Sequence, residues 1–420
     1  MPGVIVLIYR FFLVISLSFM VFGLSVSRTQ IFQELTTIVL SPSYLLTDYM
    51  ALAGVGGAFF NSGLLMLLFT LLLWILKINP SGASIAAILT IGGFALFGKN
   101  FFNVWPIVAG VLLYTTLIGE NLKTFLYVAY FGTALAPIST HLILASGFNI
   151  VGFFLSLIVG FLLPPLASFC LTLHRGYNLY NVGFTAGILG MFLGSILKAY
   201  DLAPTPRFYW HEGDQVLLAV FTYSVFYAIL LYGLKLNGWS FKGYKSILSH
   251  SGKLLTDFVL LENEGVTFIN IGLLGLLGTS YVLLSGSALN GPTIGGIMTL
   301  AGFGALGKHP KNIAPVVLGV ILGAATNSQP FNSPSMTLAV LFGTTLAPIA
   351  GEFGFIWGVV AGFLHSALVI NVAFLHQGMN LYNNGFSGGF VALFLLPLID
   401  AARLLKNRIL VSMRGESNGN

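Results

Sequence analysis

The chain has 420 residues, of which 56% are hydrophobic and only 7% charged, against roughly a quarter charged in an ordinary soluble domain. That excludes a water-facing globular enzyme and predicts a polytopic membrane protein with the lipid bilayer as its surroundings. The net charge of +6, from 18 Lys and Arg against 12 Asp and Glu, sits largely in two short patches, and the aromatic residues lie inside apolar runs, so no nucleic-acid face is expected.

Seven apolar stretches occupy the first half, at about 4–26, 52–77, 84–97, 104–118, 125–146, 149–173 and 182–199. The first resembles a signal peptide, with Arg10 before an apolar run and Ser25-Val26-Ser27 after it. Gln215 to Leu234 supplies a similar segment at the matching place in the second half, so we read it as an uncleaved span. A bilayer crossing takes about 20 helical residues, so the third and fourth stretches predict re-entrant or broken helices.

The second half repeats the first. At an offset of 209, Thr47-Asp48-Tyr49 meets Thr256-Asp257-Phe258, Asn61 meets Asn270, and Gly98-Lys99 meets Gly307-Lys308. Phe131-Gly132-Thr133-Ala134-Leu135-Ala136-Pro137-Ile138 returns at Phe342 to Ile349, and Gly176-Tyr177-Asn178-Leu179-Tyr180-Asn181 returns as Gly378-Met379-Asn380-Leu381-Tyr382-Asn383. One unit thus appears twice, as 1–210 and 211–405, followed by a basic tail at 406–420.

Lys and Arg in short loops favour the cytoplasm. Lys235, Lys242, Lys245 and Lys253 crowd one loop, and Arg403, Lys406, Arg408 and Arg414 the tail, whereas the 28–48 loop and the inter-repeat linker mix acids with bases. Each unit then holds an odd number of spans, and the two lie upside down relative to each other. The expected fold is all-α, with two inverted repeats of about five to seven helical segments, in the plasma membrane, with both termini cytoplasmic.

Polar residues inside apolar stretches are the candidates for function. Asn178, Tyr180, Asn181, Asn380, Tyr382 and Asn383 form two matched breaks, expected to line a substrate pathway, with Asn181 and Asn383 placed to cap the last helix of each unit. Lys99 and Lys308 end the short third stretch; they either snorkel to headgroups or attract an anionic solute. Asp48 and Asp257 either start helices or couple transport to protons or sodium. His174 and His376 are the only repeated histidines and have no ligand set beside them, and Cys170 has no partner, so neither a metal nor another cofactor is expected. No nucleophile-and-base arrangement appears, so the chain is not expected to be an enzyme.

With these strings in hand, the whole chain resembles a family of uncharacterised bacterial integral membrane proteins built from two copies of a domain of unknown function. Leu173-His174-Arg175-Gly176-Tyr177-Asn178, leading into Gly183 to Gly190, is also similar to a string in the urea transporters. That likeness implies inverted repeats around a pore for a small neutral solute. The chain departs from it in the extra leading span of each half and in carrying Gln329-Pro330-Phe331-Asn332 only once. The expected function is a transporter or channel for a small polar solute passing between the repeats, with an ion-coupled carrier using Asp48 and Asp257, or a non-transporting scaffold or lipid-handling protein, as alternatives. Association into a homo-oligomer stays open.

Overall fold

The computed structural model describes residues 2–144, 149–205, 207–326 and 329–417. In the first repeat the membrane segments are α1 (Pro2–Ser27), α2 (Val55–Ile75), α3 (Gly82–Ala95), α4 (Trp105–Leu117), α5 (Leu126–Gly132), α6 (Ala136–Leu144), α7 (Ile150–Leu173) and α8 (Asn181–Ala199). In the second they are α9 (Gln215–Leu236), α10 (Glu264–Leu284), α11 (Gly291–Gly302), α12 (Pro310–Thr326), α13 (Pro334–Gly343), α14 (Ala347–Phe353), α15 (Phe355–Val369) and α16 (Asn383–Ser417). Among the described residues nine helical segments, with α5–α6 and α13–α14 each counted as one continuous run, are long and apolar enough to cross a membrane, making this a multi-pass membrane protein.

The short third stretches are half-helices, as their lengths predicted. α3 and α11 pack along each other, with Gly93 on Gly295 at one end and Gly302 over Ala86 and Leu89 at the other. Equivalent helices that run antiparallel are related by a two-fold axis perpendicular to them. With the helices along the bilayer normal, that axis lies in the membrane plane, and the repeats are inverted. A Cβ on Gly93 would come within 2.8 Å of the Gly295 carbonyl oxygen, so only glycine permits this approach. The axis passes near Thr90 and Thr299, which are 209 residues apart and midway along the pair.

The breaks after α3 and α11 are built alike. Gly98 and Gly307 take φ of 94° and 97°, a left-handed geometry that side chains resist. Asn61 of α2 donates to the carbonyls of Ala95 and Lys99 at 2.7 and 2.9 Å, and Asn270 of α10 donates to those of Gly304 and Lys308 at 2.7 Å each. Asn103 and Asn312 cover the Gly98 and Gly307 carbonyls. Backbone freed at membrane depth is thereby satisfied by protein.

Asp48 and Asp257 join the repeats. Asp48 Oδ1 accepts from Met50 N, starting its own short helix, and from Gly291 N at the start of α11. Asp257 likewise accepts from Val259 N and Leu260 N, and from Gly82 N and Ala83 N at the start of α3. Each carboxylate therefore caps a helix in its own repeat and the half-helix of the other, where the positive end of the dipole favours an anion. The first span packs against α2, with Gly23 against Gly56 and Phe60, and α16 runs on through residue 405 to Ser417.

Candidate functional site

The repeated Asn-Leu-Tyr-Asn breaks meet at the pseudo-two-fold. The first turns of α8 and α16 cross there, and a Cβ on Gly183 would sit 2.9 Å from Tyr382 Cβ, as one on Gly385 would from Tyr180 Cβ. Asn178 reaches across the interface to the Gly385 carbonyl at 3.0 Å, and Asn380 to that of Gly183 at 3.4 Å. Their Oδ1 atoms accept from Tyr180 N and Tyr382 N, tying the turn two residues on.

Asn181 and Asn383 do not cap their helices, contrary to the local preference of asparagine. Each Nδ2 donates to a carbonyl in the preceding long helix, Ala167 at 3.1 Å and Val369 at 3.0 Å. That orientation leaves Oδ1 to accept from the imidazole Nε2–H of His174 or His376, 2.9 Å away in both cases. A buried imidazole N–H without an acceptor would be costly, and the asparagine supplies one. The matched histidines thus belong to the break itself, and among the described residues no group of three or more His, Cys, Asp or Glu could hold a metal.

Neither Lys99 nor Lys308 snorkels; both are fully buried. Lys99 Nζ donates to the hydroxyl of Tyr382 at 2.6 Å and stands 4.6 Å from the centre of that ring. Lys308 Nζ donates to the hydroxyl of Tyr180 at 2.5 Å and to Thr344 Oγ1 at 2.8 Å, 4.4 Å from the Tyr180 ring centre. Each lysine of one repeat thus engages a tyrosine of the other, on opposite sides of the midplane. Among the described residues the salt bridges join other groups, so no carboxylate is paired with either lysine.

Between these two stations lies a cavity of about 280 Å³. Tyr180, Tyr382, Phe94, Phe303 and Phe342 form much of its wall, with Gly183 and Gly385 at the crossing and Thr90 and Thr299 at the midplane. Thr299 Oγ1 is bonded back to Gly295, whereas Thr90 Oγ1, buried, has no hydrogen-bond partner. Asn181 and Asn384 add polar edges.

Among the described residues the cavity extends to one face only, where the exposed Leu255 lines it. Ala83, Tyr127, Leu254 and Leu255 line it, while their equivalents Pro292, Leu338, Leu45 and Leu46 do not. The inter-repeat linker explains the difference, because it exists once. Tyr209 N donates to the Leu46 carbonyl and its own carbonyl accepts from Asp48 N, while His211 N donates to Asp48 Oδ2 at 2.9 Å. Trp210 packs against the cluster holding Phe97 and Tyr382. The linker therefore covers the Asp48 mouth, and Asp48 stands on that covered side, Asp257 near the open one.

Sequence reading singled out the lysines and the tyrosines as separate features, and the structure brings them together in crossed pairs. It did not single out Thr90, Thr299, Phe94 or Phe303. Each Thr and Phe recurs at the offset of 209, and that recurrence was the available signal.

A family model described as "Protein of unknown function (DUF1576)" matches residues 27–199 and 236–401. The two matches start 209 residues apart, at the offset of the internal repeat. No curated protein and no solved structure matches the chain.

Proposed function

The chain belongs to the DUF1576 family, and from that premise we propose that it is a transporter or channel moving a small solute between its two inverted repeats. The observation that carries this reading is the cavity at the pseudo-two-fold, flanked on either side of the midplane by crossed Lys–Tyr pairs. Inverted repeats that meet at a midplane site are the architecture of many secondary transporters. The solute would enter through the mouth beside Leu254 and Leu255. The basic loop containing Lys253 adjoins that mouth, which supports a cytoplasmic side there and cytoplasmic termini in the plasma membrane.

The pathway we propose is lined by Tyr180 and Tyr382 with the midplane threonines. The four asparagines hold it in shape, since their amide groups already bond to protein. An ion-coupling role for Asp48 and Asp257 draws no support from their geometry, because both carboxylates accept backbone N–H groups across the repeat interface. The likeness to urea transporters would imply a neutral solute; the two lysines favour a different class, argued below. No catalytic step or cofactor forms part of this function.

The test is uptake or swelling in proteoliposomes challenged with small amides, polyols and organic acids. Val128 lines the cavity and is only half-buried, so Val128→Trp should fold and block entry. Transport of one solute class, abolished by Val128→Trp, is the expected result. Transport undiminished in a folded Val128→Trp protein would remove the cavity from the pathway.

A further inference from the structure

We infer that the solute is a compact amphipathic anion, a carboxylate on an apolar body, and this rests on the transport reading just given. The cavity's volume of about 280 Å³ falls just below the roughly 300–1,000 Å³ of pockets for drug-sized ligands, so the occupant is small. The walls are chiefly aromatic and aliphatic, which suits an apolar body and would leave a sugar or polyol with unpaired hydroxyls.

The polar groups facing this space are arranged as donors. Tyr382 accepts a hydrogen bond from Lys99, and among the described residues no acceptor takes its own hydroxyl proton. A phenol bonded to a lysine amine is polarised toward donating that proton, and a carboxylate oxygen is the strongest acceptor a small solute offers. Tyr180 accepts from Lys308 in the same way on the other side of the midplane, with Thr344 also beside its hydroxyl. Thr90 Oγ1, buried, without a partner and lining the cavity, is one further group waiting for a ligand.

Charge points the same way. Two lysines shut away from water have no carboxylate beside them among the described residues, and an ammonium persists at such a place only where a counter-charge meets it. An entering anion supplies it through the tyrosine hydroxyl that each lysine holds, since Tyr180 and Tyr382 line the cavity and the lysines stand behind them, first at the Lys308–Tyr180 station near the open mouth and then at the Lys99–Tyr382 station beyond the midplane. A neutral amide of the same shape would supply none.

Benzoate and hexanoate, with benzamide and hexanamide as neutral isosteres, test this on the full chain in lipid nanodiscs, by equilibrium binding and by uptake after reconstitution. Both acids should bind saturably and at least tenfold more tightly than their amides. Lys308→Met should lower acid affinity tenfold or more and leave amide binding unchanged, with Lys308→Arg restoring part of it. Thr90→Val, isosteric and without a charge change, should weaken acid binding several-fold and guards against a lysine variant that fails to fold. Equal binding of acid and amide, or acid binding indifferent to both Lys308→Met and Thr90→Val, overturns the anion assignment. Carriage of the amides with rejection of the acids, or a protein that binds and carries none of the four, would overturn it while leaving the transport reading to its own test.

Discussion

At the residue scale the site turns on hydrogen bonds between side chains that belong to different repeats. Among the described residues Lys99 has one side-chain acceptor, the Tyr382 hydroxyl, whereas Lys308 has two, Tyr180 and Thr344. Removing the only acceptor of a buried amine costs more than removing one of two. Tyr382→Phe should therefore destabilise the protein by about 1–3 kcal/mol and Tyr180→Phe by less, read as unfolding midpoints in detergent. A larger loss in Tyr180→Phe would show that the two stations are not held as described. The same logic explains why the break asparagines are spent: each amide already bonds to a backbone carbonyl, so the proposed solute is left to the phenols and Thr90.

At the element scale the half-helices are positioned by carboxylates lent from the opposite repeat. Asp48 sits between the spans, deeply buried, and burial pushes its carboxyl up to about 6, against the pull of backbone N–H groups from His211, Met50 and Gly291. A folded-state value above the unfolded one, near 3.9, means the folded protein binds more protons between pH 4 and 6. Stability from this group is then greatest below about pH 4, falls as pH rises to about 6, and levels off having lost about 2–3 kcal/mol. Unfolding midpoints measured from pH 4 to 7 should show that slope, and Asp48→Asn should flatten it. His211 stands next to the carboxylate, so the comparison belongs in a His211→Gln background. A slope unchanged by Asp48→Asn would place the titration elsewhere.

At the scale of the whole molecule, the inversion and the single linker make a symmetric scaffold with one covered mouth. Antiparallel α3 and α11 require that matched loops emerge on opposite faces. Cysteines introduced at Thr29 and Lys245 in a Cys170→Ala background should therefore be labelled from different sides of intact cells by an impermeant reagent. Labelling of both from one side would contradict the inverted arrangement. Trp210 and Tyr209 close the Asp48 face without a counterpart at the other among the described residues, which is how two homologous repeats yield a cavity open on one side.

Much of the architecture was legible in the chain alone, because composition, apolar run length and a 209-residue offset are local or periodic properties. They determined the membrane class, the seven apolar stretches of the first half, the short third and fourth ones, and the repeat. Basic loops further implied the inversion, since charge distribution follows sidedness. The pairings were not legible: that Lys99 meets Tyr382 and Lys308 meets Tyr180, or that Asp48 caps α11 instead of serving only its own helix, depends on how one repeat is laid against the other. Nor could spacing reveal that Asn181 and Asn383 would give up the cap to a buried histidine. Local preference ranks what a residue does with its neighbours in sequence, and only tertiary packing decides which buried donor is most in need of its acceptor.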